Sequence, residues 1–158
     1  MKFLRTIRLD NSDANVFPRA AEPEEWAVTG TFAFADGDPA EMTAKERIAF
    51  KSGWLGTKTF GRATLVQVAT IEAAEFESVV QALALHLRAA YGAPDPAAAL
   101  NAAREEALYA AGLADHALGT LLAIEREPGP DGIRERIRTI ERKGNGHARI
   151  WTIVEDEN

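Results

Sequence analysis

Phe76, Val79, Val80, Leu83, Leu87, Ala90 and Tyr91 recur at i, i+3, i+4, i+7, i+11, i+14 and i+15. At about 100° per residue they form one stripe on a helix over 72–91, and such a stripe must be buried against another layer. Gly92 suits the left-handed residue that ends a helix, and Pro94 blocks continuation. Asp95-Pro96 reads as an N-cap and first helical residue, opening a second helix over 96–113. That helix is rich in Ala, so a neighbouring layer can approach it closely. The short Gly-Ala-Pro link favours an antiparallel helix pair.

The partner layer is legible as strands. Residues 3–9 form an apolar, β-branched run that ends at the turn formers Asp10-Asn11-Ser12-Asp13. An extended piece at Asn15-Val16-Phe17-Pro18 is expected to return beside it, at an edge because of the proline. Residues 26–34 alternate, with Trp26, Val28, Phe32 and Phe34 on one side of a half-buried strand. Thr43 and Glu46 form a capping box for a short helix over 44–52, which Gly53 stops. A Gly-rich loop over 53–61 leads into a strand over 62–71. Strands over 120–127, 133–142 and 148–154 are joined by the turn segments 128–132 and 143–146. Turns that short permit hairpins and exclude parallel crossovers.

Strands and helices segregate in long runs, which defines an α+β fold. The expected architecture has two layers: a mostly antiparallel sheet with the helix pair packed on one face, and a C-terminal β-meander. The chain of 158 residues reads as a single domain over 1–154 with an acidic tail over 155–158. It has no Cys, which removes disulfides, thiolate metal sites and a Cys nucleophile. The net charge of −6 argues against a nucleic-acid partner. No apolar run approaches the ~20 residues of a membrane span. The charged opening, residues 1–8, is unlike a signal peptide, so a cytoplasmic location is expected.

Chemical motifs are scarce. The loop over 53–59 superficially resembles a phosphate loop, but Thr57 rather than Gly precedes its Lys, and it leads from a helix into a strand. It reads as a loop whose glycines supply positive φ while Trp54, Leu55 and Phe60 tuck onto the core. The chain has three histidines, His86, His116 and His147, with none at metal-ligand spacing to another, so no metal and no cofactor is expected. His86 reads as partly buried where helix meets sheet, and His116 as a turn residue. His147 ends a Gly-rich turn, where exposure is the default. Ser12, Ser52 and Ser78 lie outside any nucleophile elbow. Glu105-Glu106 point about 100° apart on a helix and read as a solvated face.

Arg134, Arg136 and Arg138 alternate onto one face of their strand, opposite Ile133, Glu135, Ile137 and Thr139. They form either a docking stripe for an acidic partner or a solvent face of cross-strand ion pairs. In residues 125–143, six basic side chains meet five acidic ones, and this near-neutrality favours the ladder, with Glu125 or Glu127 opposite.

Trp26-Ala27-Val28-Thr29-Gly30, Leu55-Gly56, Phe60-Gly61-Arg62, Arg104-Glu105-Glu106, Gly119-Thr120-Leu121-Leu122 and Asp131-Gly132-Ile133-Arg134-Glu135-Arg136 carry a resemblance over nearly the whole chain. They resemble a family of small uncharacterised proteins of GC-rich proteobacteria. The resemblance implies no assigned activity, and an accessory role around redox-enzyme gene clusters.

The residues therefore support two expectations. One is a non-catalytic binding or accessory protein that contacts itself or another protein, with Leu85 standing opposite the main stripe of its helix. The other is a small enzyme or small-molecule-binding domain with a pocket between sheet and helices. Arg62, His116, Arg136 and His147 would then converge in one concave site.

Overall fold

A computed structural model describes residues 1–92, 95–143 and 150–155. The elements in chain order are β1 (Lys2–Ile7), α1 (Ser12–Val16), β2 (Trp26–Val28), α2 (Ala44–Ser52), β3 (Trp54–Gly56), β4 (Arg62–Ala63), β5 (Leu65–Thr70), α3 (Ala73–Tyr91), α4 (Pro96–Leu113), β6 (Leu121–Gly129), β7 (Gly132–Lys143) and β8 (Ile150–Glu155). The strands form one sheet in the order β4-β3-β2-β1-β5-β6-β7-β8. Every neighbouring pair is antiparallel. The fold is α+β, and β6, β7 and β8 are the expected meander. The link between β7 and β8, which contains His147, and the tail after Glu155 lie outside the described residues.

The helices start and stop where local chemistry dictates. Thr43 accepts from Glu46 N at 3.1 Å and the Glu46 carboxylate accepts from Thr43 N at 3.2 Å, completing the capping box. Asp95 accepts from Ala98 N at 2.7 Å to open α4. Gly92 ends α3 at φ 64°. The helix pair is antiparallel: Arg104 of α4 forms a two-pronged ion pair with Glu77 near the start of α3, while Pro96 and Leu100 line one crevice with Leu85 and Arg88 farther along it. Ala99, Ala103, Ala107 and Ala110 are all fully buried, which is the close approach that a small-residue face allows. The α3 stripe is buried from Phe76 to Leu87, but Ala90 and Tyr91 are exposed, because the helix runs out past the layer it covers.

Two strand expectations fail for a common reason, a contact distant in sequence. Residues 26–34 form a strand only through Val28. Gly30 then adopts φ 71° and the chain enters a 3-10 turn over Thr31–Phe34. A Cβ on Gly30 would lie 2.5 Å from Leu55 Cβ and 2.7 Å from Arg62 Nη1, so this turn is packed directly onto β3 and β4. Residues 12–16 form the short helix α1 rather than an extended return, and the buried Asp13 carboxylate accepts from the Thr64 hydroxyl at 2.7 Å. That bond sits at the break between β4 and β5, which divides the expected strand over 62–71.

The Gly-rich loop also departs from expectation. Gly53, Gly56 and Gly61 have no positive φ, and the left-handed residue is Phe60 at φ 57°. Gly56 is needed for close approach, since its Cβ would lie 2.5 Å from the Glu25 carboxylate. That buried carboxylate accepts from Lys58 N at 2.9 Å, Thr59 N at 2.7 Å and the Thr59 hydroxyl at 2.6 Å. The loop does cradle an anion, and the anion belongs to the chain itself. Trp54 and Leu55 are buried and Phe60 packs against the core.

Candidate functional site

Along β6, Leu122, Ile124 and Arg126 follow one another at every second residue, so they share a face. Leu122 and Ile124 are core residues, and Arg126 is carried inward with them to 3% exposure. Its guanidinium donates to the carbonyls of Phe50 and Gly53, both at 3.0 Å, and to that of Thr29. Its Nε donates to the Thr31 hydroxyl at 2.7 Å. Glu135 stands opposite in the β6–β7 register and lies 3.4 Å from Arg126 Nε. Glu135 also accepts from the Thr31 hydroxyl and from Tyr109 of α4, the latter at 3.0 Å.

Arg62, on β4, enters the same region with 8% exposure. It donates to Thr29 O at 3.3 Å, Gly53 O at 3.2 Å and Gly30 O at 3.1 Å. The Phe34 ring lies 4.6 Å from the Arg62 guanidinium and 5.3 Å from that of Arg126, so one aromatic face serves both cations. The two arginines differ in compensation. Arg126 has Glu135, whereas among the described residues Arg62 has no carboxylate partner. Burial, reinforced by the Arg126 charge, pushes Arg62 down to about 9. Burial lowers Arg126 to about 10 against the opposing pull of Glu135. Burial and then Glu135 raise the Glu106 carboxyl, so Glu106 belongs to this charged cluster and not to the solvated face expected of it. Burial first and then Glu135 push the Tyr109 phenol up to about 12.

Arg62 opens on a cavity of about 570 Å³. Phe34, Met42, Phe60, His86 and Tyr91 supply much of its wall, and Asp38, Glu41 and Glu46 are acidic groups on its lining. A second cavity of about 710 Å³ lies beyond, lined by Trp26, Phe60, Val79, Ala82, Leu85 and His86 among others. His86 stacks on Phe60 with ring centroids 3.8 Å apart and planes 7° from parallel, and this pair contributes to both cavities. His86 is partly buried, and burial followed by the Arg62 charge lowers its pKa, favouring the neutral ring.

Of the residues singled out from sequence, Arg62 lines the inner cavity, which contains neither His116 nor Arg136. His116 lies just beyond α4, where its carbonyl accepts from Lys2 Nζ at 2.6 Å. Arg134, Arg136 and Arg138 share one face of β7. Glu135, on the other face, touches α4, so the arginines point away from that helix. Glu127 stands opposite Arg134, with 3.9 Å between their charged groups, and Arg138 reaches Glu125 at 3.3 Å. Those are the cross-strand pairs of the ladder reading. Replacing all three arginines with Gln is expected to leave the fold intact, with a loss of at most about 1 kcal/mol for each pair, measured by urea unfolding. A larger loss would mean the guanidinium groups are structural.

Sequence reasoning missed Arg126, Glu135 and Glu25. A signal was present for the first two: Arg126 continues the apolar phase of Leu122 and Ile124, and Glu135 sits in phase with Ile133 and Ile137. Glu25 has one local partner, Glu22 N at 2.6 Å, but its loop partners Lys58 and Thr59 lie more than 30 residues downstream, so sequence reasoning had little to mark it.

Fold and site together define an α+β protein with an open antiparallel sheet, a helical hairpin and two buried arginines beside a cavity. The chain belongs to DUF6505, a family of unknown function, which it matches over residues 1–155. No curated protein and no solved structure matches it. Among the described residues, no helix is long and apolar enough to cross a membrane, and no group of three or more His, Asp or Glu side chains is arranged to hold a metal ion.

Proposed function

We propose that this is a non-catalytic binding protein whose working region is the pair of cavities divided by Phe60 and His86. The observation that carries this reading is Arg62, a nearly buried cation without a carboxylate partner on the wall of a cavity large enough for a small molecule. Hydroxyl groups nearby are already engaged with the backbone. Ser78 donates to Ala74 O at 3.1 Å within its own helix, and Thr57 donates to Trp26 O at 2.8 Å. These engagements support binding over nucleophilic chemistry at the outer cavity, which Ser78 and Thr57 line. Soaking the protein with a fragment set and following the His86 and Tyr91 ring resonances by NMR tests it. Shifts confined to these rings and their neighbours are expected, and a set that leaves both unmoved would overturn the reading.

A second reading, an accessory role through protein–protein contact, is favoured by Leu85. It is 66% exposed and forms a ridge between the outer cavity and the crevice that separates α3 from α4. An apolar ridge flanked by two hollows is self-complementary about a two-fold axis, so the partner we propose is a second copy of this chain. Light scattering across a concentration series should show a dimer, and Leu85→Asp should make it monomeric while circular dichroism shows the fold retained. A wild-type monomer at high concentration would sink the idea. The abundance of Ala and Arg supports an origin in GC-rich proteobacteria. A cytoplasmic location belongs to the same proposal.

A further inference from the structure

We infer that the inner cavity takes a small monocarboxylate with a flat apolar body, its carboxylate on Arg62 and its body against Phe34, Phe60, His86 and Tyr91. The inference rests on the binding reading above and adds the ligand class. A guanidinium carries five N–H donors. Three hydrogen bonds join Arg62 to the carbonyls of Thr29, Gly53 and Gly30, all through its Nη atoms, which leaves two donors of the five. Its Nε makes none of these bonds, and Arg62 contributes to the wall of the cavity. The neighbouring cation Arg126 is balanced by Glu135, and Arg62 is the one left uncompensated. A carboxylate there would gain charge-assisted hydrogen bonds from a guanidinium that is itself nearly buried.

The rest of the lining sets the class of anion. Four ring-bearing side chains contribute to the wall, and two of them, Phe60 and His86, are held parallel by stacking on one another. Flat apolar surface buries efficiently against such rings. Asp38, Glu41 and Glu46 also face the cavity. Asp38 is engaged by Ala40 N at 2.9 Å and Glu46 by Thr43 N at 3.2 Å, so their positions are held by the turns they cap. Three carboxylates in the lining repel a phosphate dianion about twice as strongly as a single carboxylate, so they disfavour polyanions more than a monoanion. The overall charge of −6 acts in the same direction.

The test is calorimetric titration of the intact protein with 4-phenylbutyrate, 4-phenylbutanol, 4-phenylbutylamine and inorganic phosphate, which share either the body or an anionic charge. The carboxylate is expected to bind at least about tenfold tighter than the alcohol, as loss of a charge-assisted bond implies. The amine and phosphate are expected to be weaker still. Equal affinity for acid and alcohol would overturn recognition by Arg62 while leaving the cavity as a binding site. Failure of all four probes would overturn the binding reading itself. Phosphate or amine binding most tightly would overturn the ligand class. Arg62→Gln should erase the preference for the acid, and because that variant also loses carbonyl partners, Tyr91→Ala serves as the second variant. Tyr91 is half-exposed, so its replacement should preserve the fold and weaken the acid several-fold. An unchanged affinity in a folded Tyr91→Ala protein would place the ligand elsewhere and overturn the proposal.

Discussion

Replacing Arg126 with Met is expected to destabilise the fold by about 3–5 kcal/mol, the range seen when one partner of a buried ion pair is removed. The guanidinium is the common donor for carbonyls of α2, for the Gly53 stop and for the segment at Thr29, and it also bonds the Thr31 hydroxyl. Met has similar length and fills much of the volume, so the loss would report polar partners and not a cavity. The Phe50 carbonyl would lose its guanidinium donor, Thr29 and Gly53 would keep only Arg62, and the Glu135 carboxylate would lose its buried cation. Adding Glu135→Gln to the Arg126→Met variant is therefore expected to recover part of the loss. Urea unfolding of the single and double variants measures both quantities. A loss below about 1 kcal/mol for Arg126→Met would show that the buried cluster is not what ties α2 to the sheet.

Gly30→Ala is expected to be comparably damaging, at about 2–5 kcal/mol, from two additive causes. A non-glycine residue at φ 71° pays about 1–2 kcal/mol for the left-handed backbone. The new Cβ would also lie 2.5 Å from Leu55 Cβ and 2.7 Å from Arg62 Nη1, and overpacking of a tight site costs about 1–3 kcal/mol more. Gly92→Ala separates the two causes, because Gly92 has φ 64° with no atom within 4 Å of the added carbon. Thermal unfolding of both variants should show the Gly92 change costing only the backbone share. If Gly30→Ala costs no more than Gly92→Ala, close packing of the turn over Arg62 is the wrong account of why a glycine stands there.

The elements that were legible in the residues are those whose causes lie within one turn or one hairpin. Thr43 with Glu46, Asp95 with Ala98, and Gly92 after the α3 stripe all act over three or four residues. The β6–β7 hairpin was legible because its turn is short, and its register then brings Glu127 opposite Arg134. Alternation also placed the three β7 arginines on one face. Charge counting, by contrast, only tallied Arg126 and Glu135 with the other charges of residues 125–143, because a count carries no information about strand phase.

What the sequence by itself determined is the three helices α2, α3 and α4, the meander and the segregation of strands from helices, since caps, turn chemistry and hydrophobic periodicity are local physics. The tertiary structure alone decided where residues 26–34 turn, why residues 12–16 coil into α1, and which charges are buried. Gly30 leaves the strand because Leu55 and Arg62 pack against it, and Asp13 turns inward to meet Thr64, 51 residues away. Arg62 and Arg126 are 64 positions apart, yet both donate to the carbonyls of Thr29 and Gly53 beneath one phenylalanine ring. Burying two guanidinium groups is favourable only when many acceptors converge on them, and that convergence exists only once the sheet and α2 have assembled.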